Sequence, residues 1–356
     1  MKVLFLTNIP SPYRVDFFNE LGKYCDLTVL CERKSSKERD ESWNKLDVKN
    51  FKLITLKGLK IGVAEAICPT VIKYLDKSYD HIIVTNFSDL TGIIAITYMK
   101  FKHIKYEIES DGGFAGTGKG IKENLKHWLL KDANKFYSTG KEHDLYYLMY
   151  GAKKENIVRY PFSSIHERDI LEKELSEIDK STLKKELNIK EEKVVLAVGQ
   201  FVHRKGYDIL LKACTNLDSN IGIYIIGGNP TEEYLNIVNT YNLTNIHFLK
   251  FKERKELEKY YLVSDVFVHP TREDIWGLVV NEAVAKGLPV ITTNKCIAGM
   301  ELITDGLNGM IIPSDNVMAL NKAIKLFLYK NCFAYSISIA KKYTIENMVK
   351  EHLKNW

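Results

Sequence analysis

The chain has 356 residues, of which 45% are hydrophobic and 27% are charged, and its formal net charge is +6. This length exceeds one ordinary hydrophobic core and predicts two domains, while the composition excludes a disordered or fibrous chain. No run reaches the roughly 18 uninterrupted apolar residues that a membrane span needs. The six cysteines lack metal-ligand and C-x-x-C spacing, which favours reduced thiols in a cytoplasmic protein.

Strand-like and helix-like runs alternate along the chain, which is typical of a doubly wound parallel sheet. The alternation begins with KVLFLT at residues 2–7 and begins again with VVLAVGQF at residues 194–201. We therefore predict an α/β chain with two Rossmann-like domains that face each other across a cleft. The predicted boundaries are a first domain at 1–162, a polar and charge-dense linker region at 163–192, a second domain at 193–331, and two further helical patterns at 332–356.

The most specific pattern is TREDIWGLVVNEAVAKGLPVITTN at residues 271–294, which follows the short apolar run VFVHP. It predicts a helix over 277–286 between two buried strands. In a parallel sheet such a helix starts just beyond the carboxyl end of the preceding strand, so its first N–H groups would face an anion. These groups belong to Gly277, Leu278 and Val279. Asp274 and Glu282 flank the same point, where carboxylates could accept hydrogen bonds from hydroxyls.

The segment Asp274-x7-Glu282 with GLVVNEAVAKGLPVI resembles the Glu-x7-Glu segment of retaining glycosyltransferases with the GT-B fold, in particular family 4 enzymes of bacterial surface-polysaccharide assembly. The resemblance implies that the C-terminal domain binds a nucleotide-sugar donor, that the N-terminal domain binds a glycan acceptor, and that the helices at 332–356 cross back to the N-terminal domain. It places Glu282 on the donor ribose and Asp274 on the donor-sugar hydroxyls. Aspartate replaces the usual glutamate at 274, so the adjacent Glu273 remains an alternative.

A basic motif, GQFVHRKG at residues 199–206, follows the first strand of the second domain. The family usually has Gly-Arg, a few residues and then Lys-Gly at this place. The resemblance therefore implies that Lys205 pairs with the donor diphosphate and stabilises it as the sugar leaves. Gln200 replaces the arginine of the family, and Arg204 could supply that charge. Exposed loop charges are the alternative for both basic residues.

Two further loops of the second domain are predicted to flank the nucleotide base. Gly227 permits close approach of the backbone to a ligand, although a plain strand-to-loop turn is equally compatible with it. Lys250 and Phe251 follow the next strand-like run. Nothing in these loops distinguishes a UDP-linked from a GDP-linked donor.

In the first domain, ESDGG at residues 109–113 ends a predicted strand on the cleft side. Asp111 is predicted to contact the acceptor hydroxyl or the donor sugar, whereas an aspartate before two glycines is also a common turn. Near the first strand, PSPYR at 10–14 replaces the glycine pair that many family members show. The predicted acceptor-side residues are Tyr13, Arg14, Asp111, Gly112 and Gly113, and the predicted catalytic residues are Asp111, Lys205 and Asp274.

A helical stripe in residues 119–131 suits a membrane interface. It contains Ile121, Leu125, Trp128 and Leu129, beside a basic face with Lys119, Lys122 and Lys126. The whole positive excess lies within residues 1–160, where a lipid-linked acceptor would dock. We predict peripheral contact with anionic lipid on the inner face of the cytoplasmic membrane. The alternative is an ordinary helix whose apolar stripe faces its own core.

No Asp-x-Asp occurs and the nine histidines lack ligand spacing, so we predict metal-independent transfer without a cofactor and without a nucleic-acid partner. His203 and His269 are interpreted as structural or surface residues. GFAGTGKG at 113–120 is similar to a phosphate-binding P-loop but lacks its Ser or Thr. The alternatives are therefore a non-catalytic nucleotide- or sugar-binding protein and, less favoured, a P-loop NTPase.

Overall fold

The computed structural model describes residues 1–33, 46–61, 65–116 and 120–356. These residues form two compact units. The first unit contains Met1–Ser164 and Thr344–Trp356, and the second contains Ile165–Tyr343.

The first unit contains a seven-stranded parallel sheet with the strand order β3-β2-β1-β6-β7-β8-β9, and a small antiparallel hairpin β4-β5. Its strands are β1 (Lys2–Thr7), β2 (Asp26–Cys31), β3 (Lys52–Thr55), β4 (Leu59–Ile61), β5 (Glu65–Ile67), β6 (His81–Val84), β7 (Glu107–Glu109), β8 (Phe136–Ser138) and β9 (Ile157–Arg159). Its helices are α1 (Pro12–Leu21), α2 (Leu90–Lys102), α3 (Ile121–Leu130), α4 (Lys141–Met149) and, from the end of the chain, α13 (Ile345–Lys354). In β1, residues 3–6 are fully buried, as expected for a strand covered on both faces.

The second unit contains a six-stranded parallel sheet with the order β12-β11-β10-β13-β14-β15. Its strands are β10 (Lys193–Val198), β11 (Ile221–Ile226), β12 (Ile246–Leu249), β13 (Val266–His269), β14 (Val290–Thr293) and β15 (Gly309–Ile312). Its helices are α5 (Glu177–Glu186), α6 (Tyr207–Ala213), α7 (Glu232–Thr240), α8 (Arg254–Val263), α9 (Leu278–Ala285), α10 (Ile297–Leu302), α11 (Val317–Phe327) and α12 (Phe333–Ala340). The strands β10 and β13 are neighbours at the middle of this sheet. The strand order reverses between them, and a ligand site is expected at such a point.

The segment predicted as a linker at 163–192 differs from the structure, because from Ile165 onward it belongs to the second unit. It contains helix α5, which Lys180 fixes by donating from Nζ to Asp265 Oδ1 at 2.7 Å. Its polar composition reflects an exposed helix, since none of the residues of α5 is buried. The boundary between the units, after Ser164, lies within the predicted linker region, but most of that region is part of the second unit.

The two C-terminal helices belong to different units, whereas the sequence predicted that both cross back to the first. Helix α12 stays in the second unit, where Ser336 donates from Oγ to the carbonyl of Leu288 at 2.9 Å. Helix α13 belongs to the first unit and packs on α1. Helical periodicity shows that a helix has an apolar face, but it cannot show which core that face covers.

No helix within the described residues is both long enough and apolar enough to cross a bilayer. Helix α3 nevertheless turns its predicted stripe outward: Ile121 is 89% exposed, and Leu125 and Trp128 are each 40% exposed. Only Leu129 and Leu130 of this helix are buried. The alternative that the whole stripe covers its own core is therefore wrong, because three of its four residues face solvent. Lys119 lies outside the described residues, as do Thr117 and Gly118 of the motif that is similar to a P-loop.

Candidate active site

Two loops of the second unit meet at the carboxyl ends of β10 and β13. After β10 the chain forms a short 3-10 turn at His203–Lys205, and Gly206 follows with φ +69°. A Cβ atom at Gly206 would lie 2.1 Å from the carbonyl oxygen of Pro270. The glycine of the Lys205-Gly206 pair is thus a packing requirement, because only glycine lets the loop after β10 lie against the loop that follows β13.

Hydrogen bonds join the same two loops. The carbonyl oxygen of Arg204 accepts from the backbone N–H of Arg272 at 2.7 Å and from Thr271 Oγ1 at 2.9 Å. The Arg272 guanidinium donates to both carboxylate oxygens of Asp208 at 2.8 Å. This bidentate pair holds the loop after β13 against the start of α6. Neither Thr271 nor Arg272 was predicted as part of the site.

Lys205, Asp274 and His269 form a compact polar cluster between these loops. Lys205 Nζ donates to Asp274 Oδ2 at 2.5 Å, and the Nε2 atom of His269 lies 2.9 Å from the same oxygen. The side chains of Lys205 and Asp274 are mostly buried and that of His269 is fully buried. Two of the predicted catalytic residues are thereby brought together, and a histidine interpreted as structural or surface proves to be their neighbour.

The charges in this cluster support one another. Burial alone would raise the pKa of Asp274, but His269 and Lys205 lower it well below its usual range. Burial lowers the pKa of His269, and its Nδ1 atom has no hydrogen-bond partner among the described residues. His269 is therefore a neutral imidazole that donates from Nε2 to an ionised Asp274. Its place as the last residue of β13 was the signal that could have revealed it.

Arg204 and Glu273 lie at the edge of the cluster rather than in it. The side chain of Glu273 is exposed, and Arg204 donates from Nη1 to the carbonyl oxygen of Glu273 at 3.3 Å. Both side chains can still move toward a ligand, whereas Asp274 is already engaged through Oδ2.

Helix α9 begins beside this cluster without a side-chain cap. Its N-cap residue is Gly277, with φ +103°, and a Cβ atom there would lie 2.8 Å from Cys296 Sγ and 3.6 Å from Asp274 Oδ2. Leu278 and Val279 form the first turn of the helix. An uncapped helix start carries partial positive charge and suits an anion such as a phosphate.

Glu282 lies on α9, where Tyr261 of helix α8 donates to its Oε2 atom at 2.8 Å. Burial raises the pKa of Glu282 although Tyr261 partly opposes the shift. A half-buried carboxylate with a single hydroxyl donor retains acceptor capacity for the hydroxyls of a ligand.

The loops predicted to flank a base lie at the carboxyl ends of β11 and β12. The N–H of Gly227 donates to the carbonyl of Leu249 at 3.0 Å, and Lys250 and Phe251 follow exposed. A Cβ atom at Gly227 would lie 1.9 Å from the carbonyl oxygen of Gly199. Gly227 is thus required by a neighbouring backbone, a physical reason different from the predicted approach to a ligand.

Residues predicted for the acceptor side of the first unit converge on Asp111. Tyr13 donates from its hydroxyl to Asp111 Oδ2 at 2.6 Å, and Arg14 Nη2 lies 2.5 Å from Asp111 Oδ1. Arg14 also donates from Nη1 to Glu109, a fully buried residue that the sequence did not single out. Gly112 has φ +149°, and a Cβ atom at Gly113 would lie 3.0 Å from the ring of Tyr146.

The buried charges on this side compensate one another. Burial alone would raise the pKa of Glu109, but Arg14 and His352 lower it to about 2. Burial alone would lower the pKa of Arg14, yet Glu109 and Asp111 raise it well above its usual value. The guanidinium therefore stays charged and holds an ionised Glu109.

Residues 179–344 match the model of the family described as glycosyl transferases group 1. The chain is 34% identical over 144 residues to an uncharacterized 41.2 kDa protein of the cps region of Klebsiella pneumoniae, covering 40% of this chain and 38% of that protein. It is 30% identical over 172 residues to the O-antigen biosynthesis glycosyltransferase WclY of Escherichia coli, covering 47% of this chain and 44% of that protein. The chain thus spans less than half the length of these relatives.

Solved structures resemble the chain over its whole length. Anabaena HepE in complex with UDP and glucose superposes with a TM-score of 0.78 and 15% sequence identity, covering 100% of this chain and 99% of that chain. Identity this low shows the fold alone. The predicted fold class, an α/β chain with two Rossmann-like domains of the GT-B type, is confirmed.

Proposed function

We propose, from the premise that residues 179–344 belong to the glycosyl transferases group 1 family, that this chain transfers a sugar from a nucleoside-diphosphate donor to a glycan acceptor in surface-polysaccharide biosynthesis. The observation that carries the proposal is the 2.5 Å contact between Lys205 and Asp274 at the uncapped start of α9. A diphosphate bound there would meet a lysine and a helix N-terminus together. The relative WclY, named for O-antigen biosynthesis, and HepE, solved with UDP and glucose, support the substrate class.

On the donor side, Lys205 leaves Asp274 for the diphosphate and Glu282 accepts from the ribose hydroxyls. Glu273, being exposed, reaches the sugar hydroxyls, and Asp274 holds Lys205 in place until the diphosphate binds. Gly227, Lys250 and Phe251 flank the base in a UDP- or GDP-linked donor. Arg204 supplies a second positive charge at the diphosphate.

The transfer proceeds with retention at the anomeric carbon, because the acceptor hydroxyl attacks from the same face from which the leaving group departs. The acceptor hydroxyl oxygen bonds to the anomeric carbon as the bond to the diphosphate oxygen breaks, and the hydroxyl proton passes to that oxygen. The proposed reaction forms no covalent intermediate on Asp274, whose Oδ2 atom remains 2.9 Å from His269 Nε2. Lys205 and the first N–H groups of α9 neutralise the departing charge, so the proposed reaction needs no metal ion.

On the acceptor side, Asp111 accepts a hydrogen bond from the acceptor while Tyr13 and Arg14 fix its orientation. Because Tyr13 and Arg14 already donate to the two oxygens of Asp111, this carboxylate is assigned to orienting the acceptor hydroxyl. Gly112 and Gly113 let the chain turn beside it.

The acceptor in this proposal is lipid-linked, and helix α3 holds the enzyme at an anionic membrane surface. Ile121, Leu125 and Trp128 form an outward apolar stripe, and Lys122 and Lys126 lie on the same helix. Each lysine near an anionic surface contributes about 1 kcal/mol. Exposed apolar residues in one stripe beside lysines are typical of interfacial helices.

Sedimentation with phosphatidylglycerol vesicles tests the membrane part. The unmodified protein is expected to sediment with the vesicles at low salt and to dissociate at high salt, and Ile121→Asn with Leu125→Asn to remain in the supernatant. Met318→Asn, at a residue of the second unit that is 75% exposed, is the matched control and should bind like the unmodified protein. An unmodified protein that stays in the supernatant contradicts the membrane part.

A panel of UDP- and GDP-sugars tests the donor part. Thermal shift identifies the donor, since a ligand at 100 times its Kd stabilises by about 2.7 kcal/mol, and release of the nucleoside diphosphate then separates an enzyme from a non-catalytic binder. Glu282→Ala should weaken binding by roughly 1–3 kcal/mol, whereas Glu233→Ala on the exposed side of α7 should not. No shift with any nucleotide sugar would overturn the proposal.

A further inference from the structure

Glu109 stands at the centre of a buried polar network in the first unit. It is the last residue of β7 and is fully buried. Arg14 donates to its Oε1 atom, and the Nε2 atom of His352, on helix α13, lies 3.0 Å from its Oε2 atom. The Tyr160 hydroxyl also donates to Oε1, at 3.3 Å. The two carboxylate oxygens therefore have different partners, and those of Oε1 and Oε2 lie far apart in the chain.

Both ring nitrogens of His352 have polar partners. Its Nδ1 atom lies 2.8 Å from the carbonyl oxygen of Met348, and its Nε2 atom faces Glu109. The ring is therefore held at both nitrogens, and its contact with Glu109 occupies the Oε2 atom of that carboxylate.

Aromatic packing fixes the ring of His352. It stacks on Tyr137 with ring centroids 4.4 Å apart, and Phe17 of α1 lies 5.1 Å from it. Trp356 donates from its indole nitrogen to the Tyr137 hydroxyl at 2.7 Å. The imidazole thus lies between strand β8, which contains Tyr137, and helix α1, which carries Tyr13 and Arg14.

We propose that His352 is a positioning residue for the acceptor contact of Asp111. Because His352 occupies one oxygen of Glu109, Arg14 binds Glu109 through one terminal nitrogen and Asp111 through the other. A carboxylate with both oxygens available binds a guanidinium in bidentate fashion. With His352 on Oε2, Arg14 has only Oε1, and its Nη2 atom is left to hold Asp111. The last helix of the chain thereby completes a site whose other residues lie near the first strand and at β7. This inference rests on the proposed function, which gives Asp111 its role.

Crystal structures of two variants test the inference without any substrate. In His352→Leu, the Oε2 atom of Glu109 loses His352, so Arg14 is expected to bind Glu109 through both terminal nitrogens and to leave Asp111. In His352→Gln the side-chain amide can still donate to Oε2, and the Arg14–Asp111 contact is expected to persist. Val349→Ala, which removes buried apolar volume from α13 but none of the polar side chains of this network, is the control for loss of packing and should leave the contact intact.

An Arg14–Asp111 contact unchanged in His352→Leu would overturn the inference, and so would a contact that is lost in His352→Gln. Absence of nucleotide-sugar turnover in the unmodified protein would instead count against the proposed function alone.

Discussion

The two units place polar side chains at the carboxyl ends of parallel sheets, but they assemble them differently. In the second unit, Lys205 and Asp274 belong to two loops whose glycines and hydrogen bonds fit them together directly. In the first unit, Asp111 depends on Arg14, and Arg14 depends on a buried Glu109 that further residues surround. The first arrangement is a candidate ligand site held by backbone contacts, and the second is a candidate site held by buried charges.

This difference has an energetic consequence. One member of a charge pair between loops can change its partner when a ligand binds. Lys205 would exchange Asp274 for a diphosphate in this way. A buried network cannot give up a member without leaving an uncompensated charge. Substitutions in the second unit should therefore mainly change activity, whereas substitutions in the network of the first unit should mainly change stability.

The largest expected effect is on stability, at Arg14. Arg14→Met leaves Glu109 buried without its guanidinium and should lower the free energy of unfolding by about 3–5 kcal/mol. Arg159→Met is the matched control, because Arg159 pairs with Asp144 while half exposed, and such pairs contribute about 0–1 kcal/mol. Urea denaturation compares the two variants. Equal losses for both would show that the buried network is not special.

The next effect is on activity, at Lys205. Lys205→Ala should lower kcat by roughly 10²–10³-fold and should raise the donor KM much less. The reason is that the diphosphate, which Lys205 is proposed to bind, gains negative charge in the transition state. Lys212→Ala removes a more exposed lysine of the same unit and should leave both constants unchanged. Nucleoside diphosphate release measures them. Full turnover in Lys205→Ala would assign the diphosphate to Arg204 or to another group.

A third effect concerns pH and Glu32, a buried residue of the first unit that accepts from the N–H of Ala66 at 2.8 Å and from Asn86. Burial, with Asp89 nearby, raises the pKa of Glu32 to about 7. The unfolded chain loses this proton near pH 4.5 and the folded chain near pH 7, so stability falls as pH rises between these values and is constant above them. The loss amounts to at most roughly 3 kcal/mol.

Glu32→Gln should remove that pH dependence while keeping the shape of the side chain. Chemical denaturation at pH 5 and pH 8 provides the measurement, with Asp76→Asn at a surface turn as the control. If the variant and the unmodified protein lose the same stability between the two pH values, then Glu32 is ionised in the folded state.

The smallest expected effect separates packing from backbone strain in the second unit. Gly206→Ala should cost about 2 kcal/mol, since its Cβ would overlap the carbonyl of Pro270. Gly306 also has positive φ, +78°, but open space around its Cβ position, so Gly306→Ala should cost only about 1 kcal/mol. Thermal unfolding measures both. Similar losses would mean that the two loops are not in tight contact.

Sequence patterns predicted the second unit more completely than the first. The strands β10 and β13 and helix α9 follow from apolar runs and glycine positions, and the motif around Lys205 identified a cluster that the structure assembles. His269 was interpreted as a structural or surface residue, and the structure buries it beside Asp274. The exposed α5 was mistaken for a linker, since polar composition does not distinguish a surface helix from an extended segment.

The network of the first unit could not be predicted because its members are far apart in the chain. Arg14 and Glu109 are separated by 95 residues, and Glu109 and His352 by 243. Only tertiary structure brings them together, and single-sequence patterns report neighbours along one helix or strand. Asp111 was predicted from its place at the end of a strand, whereas Glu109, the carboxylate that binds its partner Arg14, was not singled out.

The central claim is that the loops around Lys205 and Asp274 catalyse sugar transfer from a nucleotide sugar with retention. Real-time 1H NMR of the unmodified protein with its preferred α-linked donor tests it most directly, because the first sugar released to water or to an acceptor has a defined anomeric configuration. The account predicts release of the nucleoside diphosphate together with an α-configured product, and neither in Lys205→Ala. A β-configured first product, or a donor that stays intact with the unmodified protein, would contradict it.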